Sequence, residues 1–185
     1  MKLQTIGAVL ATVIAFAPGN GMSPAAHAGP PTARDVVHCA VEVQATESRP
    51  TAEAAPAEPV CFDTRAEVDG YLQGALSADD GSRMSTASAS TILGRVYTDA
   101  NGGGSSLAFW GSSGCYGVTF GFASLPSGWN NTISSAGGSN GCWVTLYTET
   151  SYGGSRLNCT PWCGGIGTLN DRVKSLVFRP TGTFG

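Results

Sequence analysis

The sequence predicts an all-β protein, a two-sheet sandwich preceded by a small segment with one strand and one helix. Two observations in the second half of the chain indicate the sandwich. Beyond residue 92 the apolar runs are short, interrupted by glycines and without a helical period, which is typical of sandwich strands. The glycine-rich hairpin at 144–157 also has a counterpart that starts at Val96. An internal repeat of this kind indicates a duplicated unit.

The strand-like runs in this region place the predicted strands and the residues between the two sheets. We expect eight strands, near residues 92–98, 105–111, 115–120, 132–136, 142–148, 154–159, 164–168 and 173–179. We expect their apolar side chains to form the core: Val96, Leu107, Phe109, Val118, Phe120, Ile133, Val144, Leu146, Leu157, Ile166, Leu169, Val173, Leu176 and Phe178. Three tryptophans, Trp110, Trp129 and Trp143, are predicted to be half-buried at corners.

A second motif repeats after each hairpin, in the same order. The first clamp, residues 130–135, reads NNTISS, and the second clamp, residues 170–175, reads NDRVKS. The second hairpin has an aromatic, four residues, an aromatic, one residue, then a glycine and a serine, in Tyr147, Tyr152, Gly154 and Ser155. This combination resembles the βγ-crystallin family, which implies two Greek-key motifs packed as one sandwich over residues 92–180.

The chain departs from the family pattern at two positions. Gly102 stands in the first hairpin where Tyr152 stands in the second, and Lys174 stands in the second clamp where a serine or threonine is usual. The hairpins and clamps together still form a specific pattern, since two of each occur in the same order.

The first 28 residues are predicted to be a secretory signal peptide. Lys2 precedes an apolar run from Ile6 to Phe16, and the small residues around His27 fit a cleavage site after Ala28. We therefore expect a secreted, extracellular protein of bacterial origin, without a membrane span. The remaining boundaries predicted are an acidic strand-loop-helix segment at 29–76, a linker at 77–91 and a tail at 181–185.

The segment at 29–76 is expected to be too small to fold alone. It offers a strand at 35–43, a loop rich in Ala, Pro and Glu at 44–59, and a helix at 61–76 that starts with the capping box Thr64–Glu67. A disulfide between Cys39 and Cys61 is the natural way to staple the loop. We expect this segment to lean on the β-region or to be partly mobile.

The other four cysteines follow the same oxidising chemistry. We favour Cys159–Cys163, which closes a tight loop, together with Cys115–Cys142, which joins the two repeats. Two other pairings of these four cysteines stay open.

The charge distribution argues against a nucleic-acid partner. Residues 29–92 hold four arginines against ten acidic residues, whereas residues 93–185 hold four arginines and one lysine against three acidic residues. Nucleic-acid binding requires a dense basic face, which neither half supplies. We expect a monomer.

Catalysis is also disfavoured. His38 is the one histidine beyond the predicted signal peptide, so a Ser-His-Asp arrangement is not available in the β-region. Asp99 and Glu149 hold equivalent places in a duplicated turn, which explains them without chemistry. We expect a protein that is not an enzyme.

Calcium binding is the leading functional interpretation, and the family resemblance implies its ligands. In the family two clamps brace each other, so each site borrows a side chain from the opposite motif. The first site would use the Thr132 carbonyl, the Ser134 hydroxyl, the Asp171 carboxylate and a hairpin carbonyl near Thr148. The second would use the Arg172 carbonyl and Asn131, but Lys174 would repel the ion. We expect one Ca²⁺, and the alternative is that both clamps only cap the backbone.

The alternative function is inhibition of a secreted peptidase. The fold implied by the resemblance is similar to that of the Streptomyces metalloproteinase inhibitor and of a related killer-toxin-like protein. A loop closed by Cys159 and Cys163 would present Thr160, Pro161 and Trp162, with Trp162 as the anchor. The same loop has a simpler interpretation as a staple in the shorter second repeat. A killer toxin is the third hypothesis.

Overall fold

Two β-sheets pack face to face in the computed structural model, which describes residues 36–46, 58–77 and 90–185. The predicted signal peptide, most of the acidic loop and most of the linker lie outside the described residues. The strands are β1 (His38–Glu42), β2 (Val60–Phe62), β3 (Thr91–Tyr97), β4 (Ser106–Gly111), β5 (Phe120–Phe122), β6 (Ser135–Gly138), β7 (Cys142–Tyr147), β8 (Arg156–Cys159), β9 (Trp162–Cys163) and β10 (Ser175–Pro180). The helix described is α1 (Arg65–Ser77).

The two repeats exchange strands between the sheets, as Greek-key motifs do. The first sheet has the order β2-β1-β4-β3-β6-β9 and the second the order β5-β10-β7-β8. β5 of the first repeat pairs with β10 of the second, and β9 of the second repeat pairs with β6 of the first. The predicted all-β sandwich of βγ-crystallin type is confirmed by this topology.

The acidic segment does more than lean on the sandwich, because its strand extends the first sheet. β1 pairs in parallel with β4, with Cys39 opposite Leu107, and β2 adds an antiparallel outer strand. The predicted capping box is present, since the Glu67 carboxylate accepts from the Thr64 amide at 3.0 Å and from its hydroxyl at 2.8 Å. Val68 and Leu72 of α1 pack on Ala40 and Ala108, on the outer face of the sheet.

Three of the eight predicted strands were wrong in place or in kind. Residues 115–120 are mostly loop, and only β5 at its end pairs with β10. Residues 132–136 are shared with the first clamp, so β6 begins only at Ser135. Residues 164–168 form no strand, because three glycines and a 3₁₀ turn at Gly167–Leu169 occupy them, and β9 precedes them.

The core between the sheets contains twelve of the fourteen predicted residues. Val118 and Leu157 are the exceptions, since both are half-buried and pack against its edge. Trp129 is buried, whereas Trp110 and Trp143 are half-buried.

Three disulfides join the described cysteines: Cys39–Cys61, Cys115–Cys142 and Cys159–Cys163. The first ties β1 to β2, the second crosses between the repeats and the third closes the loop between β8 and β9. No described helix is long and apolar enough to cross a membrane.

Candidate functional site

The two clamps brace each other through reciprocal backbone hydrogen bonds. The Asn131 amide donates to the Val173 carbonyl at 2.9 Å, and the Asp171 amide donates to the Ile133 carbonyl at 3.0 Å. Asn131 has a φ of 59° and Asp171 a φ of 55°, a left-handed conformation that Asn and Asp tolerate better than most residues. These positions therefore select their residue types by backbone geometry as well as by any ligand.

The last serine of each clamp ties it to a folded hairpin. The Ser135 hydroxyl donates to the Asp99 carbonyl at 2.6 Å and accepts from the Gly102 amide at 3.0 Å. Ser175 makes the same pair of bonds, donating to the Glu149 carbonyl at 2.6 Å and accepting from the Tyr152 amide at 3.1 Å. Both serines are fully buried, so these bonds fix each hairpin against its clamp.

A cavity of about 500 Å³ opens beside the first clamp. Its lining includes Thr98 and Asp99 of the first hairpin, Asn131 and Thr132 of the first clamp, and Asp171 of the second clamp. Residues of both clamps therefore line the same cavity, beside the reciprocal backbone hydrogen bonds. Oxygen donors dominate this wall, and two of them are carboxylates, which is the donor chemistry that Ca²⁺ prefers.

Ser134 belongs to the first clamp, but neither it nor Thr148 lines the cavity. The Ser134 amide donates to the Tyr97 carbonyl at 2.8 Å, which seats Ser134 beside the first hairpin. Thr148 belongs to the second hairpin, where its hydroxyl accepts from the Ser155 amide at 2.9 Å, and it does not line the cavity. The hairpin residue beside the first clamp is instead Asp99, whose signal in the sequence was its equivalence to Glu149.

The second clamp carries a lysine where the first carries Ser134. The Lys174 amide donates to the Tyr147 carbonyl at 2.9 Å, the equivalent of the Ser134 bond. Its ammonium forms an ion pair with the Glu149 carboxylate at 2.9 Å. The second clamp therefore already holds a positive charge against its hairpin acid, and Arg172 lies exposed beside it.

Acidic ligands are sparse at both clamps. Among the described residues, no group of three or more His, Cys, Asp or Glu side chains lies close enough together to hold a metal ion. A cation at the first clamp must therefore take most of its ligands from amide, hydroxyl and carbonyl oxygens.

The loop between Cys159 and Cys163 is exposed at its tip and held at both ends. Thr160, Pro161 and Trp162 are all exposed, Trp162 to 47%. The Pro161 carbonyl accepts from the Gly138 amide at 2.8 Å, and β9 pairs with β6. The Trp162 ring stands edge-on to Tyr97, with ring centres 5.8 Å apart.

His38 lies under α1 on the outer face of the first sheet. Its Nδ1 is 2.8 Å from the Ser106 hydroxyl, and both side chains are buried. Burial lowers the pKa of His38 below its ordinary value, and the nearby Arg65 and Arg95 guanidiniums lower it further, against a smaller opposing effect of Asp69. Burial and the two guanidiniums thus both favour the neutral form of the imidazole.

The fold and the paired clamps define a βγ-crystallin-type module. Residues 96–160 match the model of a family described as peptidase inhibitor family I36, which is less than half of the chain. These residues start in the first hairpin and end inside the disulfide-closed loop. No curated protein is similar enough to count as a match.

Several solved structures are similar to half of the chain. A βγ-crystallin domain from Flavobacterium johnsoniae is 22% identical, with 50% of this chain and 99% of that chain covered and a TM-score of 0.36. A βγ-crystallin from an archaeon is 23% identical, with 49% and 98% covered and a TM-score of 0.36. The N-terminal domain of protein S is 20% identical, with 49% and 97% covered and a TM-score of 0.36.

Proposed function

We propose that this protein is a secreted peptidase inhibitor that presents the loop at 159–163 from a crystallin-type scaffold. The observation that carries the proposal is the exposure of Thr160, Pro161 and Trp162 in a loop that is closed by a disulfide and bonded to β6. The match of residues 96–160 to a peptidase inhibitor family favours the same function. Three disulfides suit an extracellular protein.

The physical advantage of such a loop is rigidity. A flexible loop loses conformational entropy when a peptidase cleft closes around it, whereas a loop already fixed at both ends loses little. Trp162 supplies a large apolar anchor at the tip, of the kind that dominates protein–protein binding energies. The inhibitor would therefore act by occupying the cleft and not by chemistry.

The test is a set of inhibition assays with secreted metallopeptidases and serine peptidases. We expect the oxidised protein to inhibit at least one of them, and Trp162→Ala to raise the inhibition constant at least tenfold, at least about 1.4 kcal/mol of binding free energy. Tyr116→Ala is the matched control, because Tyr116 is exposed to 80% but lies outside the loop. Equal losses in both variants, or no inhibition of any peptidase, would contradict the proposal.

A second candidate function is binding of one Ca²⁺ at the first clamp. The observation that favours it is the cavity whose lining includes two acidic residues, Asp99 and Asp171, together with Asn131 and Thr132 of the first clamp. The donors fit a hard cation, and Asp99 adds a second negative charge to the ligand set. The ion would cross-link the two repeats and so stabilise the scaffold. The third hypothesis, a killer toxin, stays a prediction.

Thermal unfolding with excess calcium and with chelator tests this second function. A ligand at a hundred times its dissociation constant adds about 2.7 kcal/mol to the free energy of unfolding, which raises the melting temperature by several degrees. An unchanged melting temperature up to millimolar calcium would leave the clamps as backbone caps.

A further inference from the structure

A groove lies on the first sheet beside the disulfide-closed loop, and its lining comes from β3, from residues 137–140 and from Trp162. Its volume is about 310 Å³, and its polar and aromatic lining comprises Arg95, Tyr97, Ser139, Asn140 and Trp162. Trp162 lies just beyond the stretch that matches the inhibitor family, whereas Tyr97, Ser139 and Asn140 lie within it.

The floor of the groove is built from glycines of β6. A Cβ at Gly137 would lie 2.6 Å from Cε3 of Trp162, and Gly138 is equally crowded by the backbone near Cys142. Because no side chain stands on this floor, the indole of Trp162 lies directly over the β6 backbone. The indole is thus a flat apolar plate at the side of the open groove.

The two aromatic rings of the groove, Tyr97 and Trp162, are held in place by contacts with each other and with α1. Tyr97 meets Trp162 edge-on, and the Arg65 guanidinium of α1 lies 5.2 Å from the centre of the Tyr97 ring. Arg65 also donates to the Gly102 carbonyl in the first hairpin. These contacts hold the two aromatic rings in one arrangement, so the plate is formed before any ligand arrives.

The polar groups of the groove are balanced in charge. Arg95 forms an ion pair with Asp69 of α1, and both side chains stay partly exposed, to 21% and 45%. The Asn140 side-chain amide donates to the Ile92 carbonyl at 2.7 Å, which directs its oxygen away from that bond. The groove thus offers donors and acceptors side by side, without a net charge from the pair.

These features favour a neutral sugar over a charged or purely apolar ligand. Of two vicinal hydroxyls, one can accept a hydrogen bond from the guanidinium while the other donates to the carboxylate beside it. The apolar C–H face of a sugar ring fits on an exposed indole, which has an apolar body. We propose that this groove is a binding site for a neutral oligosaccharide, with Trp162 as the stacking platform and Arg95, Asp69 and Asn140 as the hydrogen-bonding groups.

The test is titration of the oxidised full chain with cellotetraose, N-acetylchitotetraose and maltotetraose by isothermal calorimetry. We expect at least one tetrasaccharide to bind with a dissociation constant of millimolar or below. Trp162→Ala is expected to weaken that binding at least tenfold, and Asp69→Asn several-fold. Phe184→Ala is the matched control, because Phe184 is exposed to 67% and packs on Trp143, outside the groove.

Two results would overturn the proposal. One is that none of the three sugars binds at millimolar concentration. The other is that a sugar binds equally well to wild type, Trp162→Ala and Asp69→Asn. Because Asp69→Asn removes an ion pair that holds α1, its folding is checked by thermal unfolding, and Trp162→Ala provides a variant whose half-exposed side chain is not in the core. Sugar binding needs no peptidase, so its failure is distinguishable from failure of the inhibitor function.

Discussion

The two clamps share one backbone design and differ in the charge they hold. Both have an Asn or Asp in the left-handed conformation, both donate a backbone hydrogen bond to the opposite clamp, and both bury a serine against a hairpin. The first clamp, however, faces a cavity with Asp99 and Asp171, whereas the second is closed by the ion pair between Lys174 and Glu149.

This difference separates what the fold requires from what a cation site requires. The serine and backbone bonds satisfy buried polar groups, and their loss would leave those groups unpaired in both repeats. The fifth position of the clamp is less constrained, since it holds the buried Ser134 in the first repeat and the partly exposed Lys174 in the second. Lys174 supplies its own positive charge to the hairpin acid, so the second clamp needs no ion to balance Glu149.

The largest expected effect is loss of the calcium response at the first clamp. Asp171→Asn keeps the shape of the side chain but removes a formal charge from the proposed ligand set. We expect the calcium-dependent gain, about 2.7 kcal/mol at a hundred times the dissociation constant, to disappear from thermal unfolding curves. Asp99→Asn is expected to reduce it as well.

The matched control for this experiment lies in the other repeat. Glu149→Gln removes the acid equivalent to Asp99, but its carboxylate is engaged by Lys174, so the calcium response is expected to stay. If Glu149→Gln abolishes the response and Asp171→Asn does not, the ion binds at the second clamp and the assignment is wrong.

The second effect tests what the clamps have in common. Ser135→Ala and Ser175→Ala each remove two hydrogen bonds at a fully buried site. We expect each to lower the free energy of unfolding by about 1–3 kcal/mol, measured by urea titration in chelator. Similar losses would confirm that the two clamps are equivalent in their structural role, whereas a loss in one repeat alone would show that they are not.

A smaller effect is expected from converting the second clamp into a copy of the first. Lys174→Ser breaks an ion pair whose side chains are exposed to 34% and 59%, which costs at most about 1 kcal/mol in chelator. It also frees Glu149 and supplies a hydroxyl. We expect calorimetric titration to show two calcium ions in place of one.

A stoichiometry that stays at one in Lys174→Ser would show that the lysine is not what closes the second clamp. Asn131, which carries no charge, would then be the residue to change.

The repeat pattern was enough to predict the sandwich, and the reason is physical. Glycines at hairpin tips and Asn or Asp at left-handed positions are required by the backbone, so the sequence records them twice. Strand positions were less predictable. At 164–168, for example, the apolar Ile166 is buried, but it lies in a turn and not in a strand. An apolar residue that is buried does not by itself indicate whether its backbone is a strand or a turn.

The candidate site was predicted in part. Asp171 and Thr132 line the same cavity, but Asp99 was missed as a partner because the two hairpins are indistinguishable until the crossing of the strands is known. The parallel pairing of β1 with β4 was missed for a similar reason, since nothing in a short alternating strand indicates which sheet edge it joins. Long-range pairing is a property of the assembled sheets.

The smallest expected effect concerns pH, and it lies away from both clamps. His38 has its pKa lowered from 6.5 by burial and by Arg65 and Arg95, with Asp69 opposing. As the pH falls, the unfolded chain therefore binds a proton at His38 at a higher pH than the folded chain does. The contribution of His38 to the free energy of unfolding is fully present above pH 6.5 and falls as the pH drops below it. His38→Gln is expected to flatten the profile between pH 7 and 5, measured by urea titration. Because His38 touches neither clamp, Lys174→Ser is expected to keep the wild-type slope, and a changed slope there would mean that the clamps and α1 are coupled.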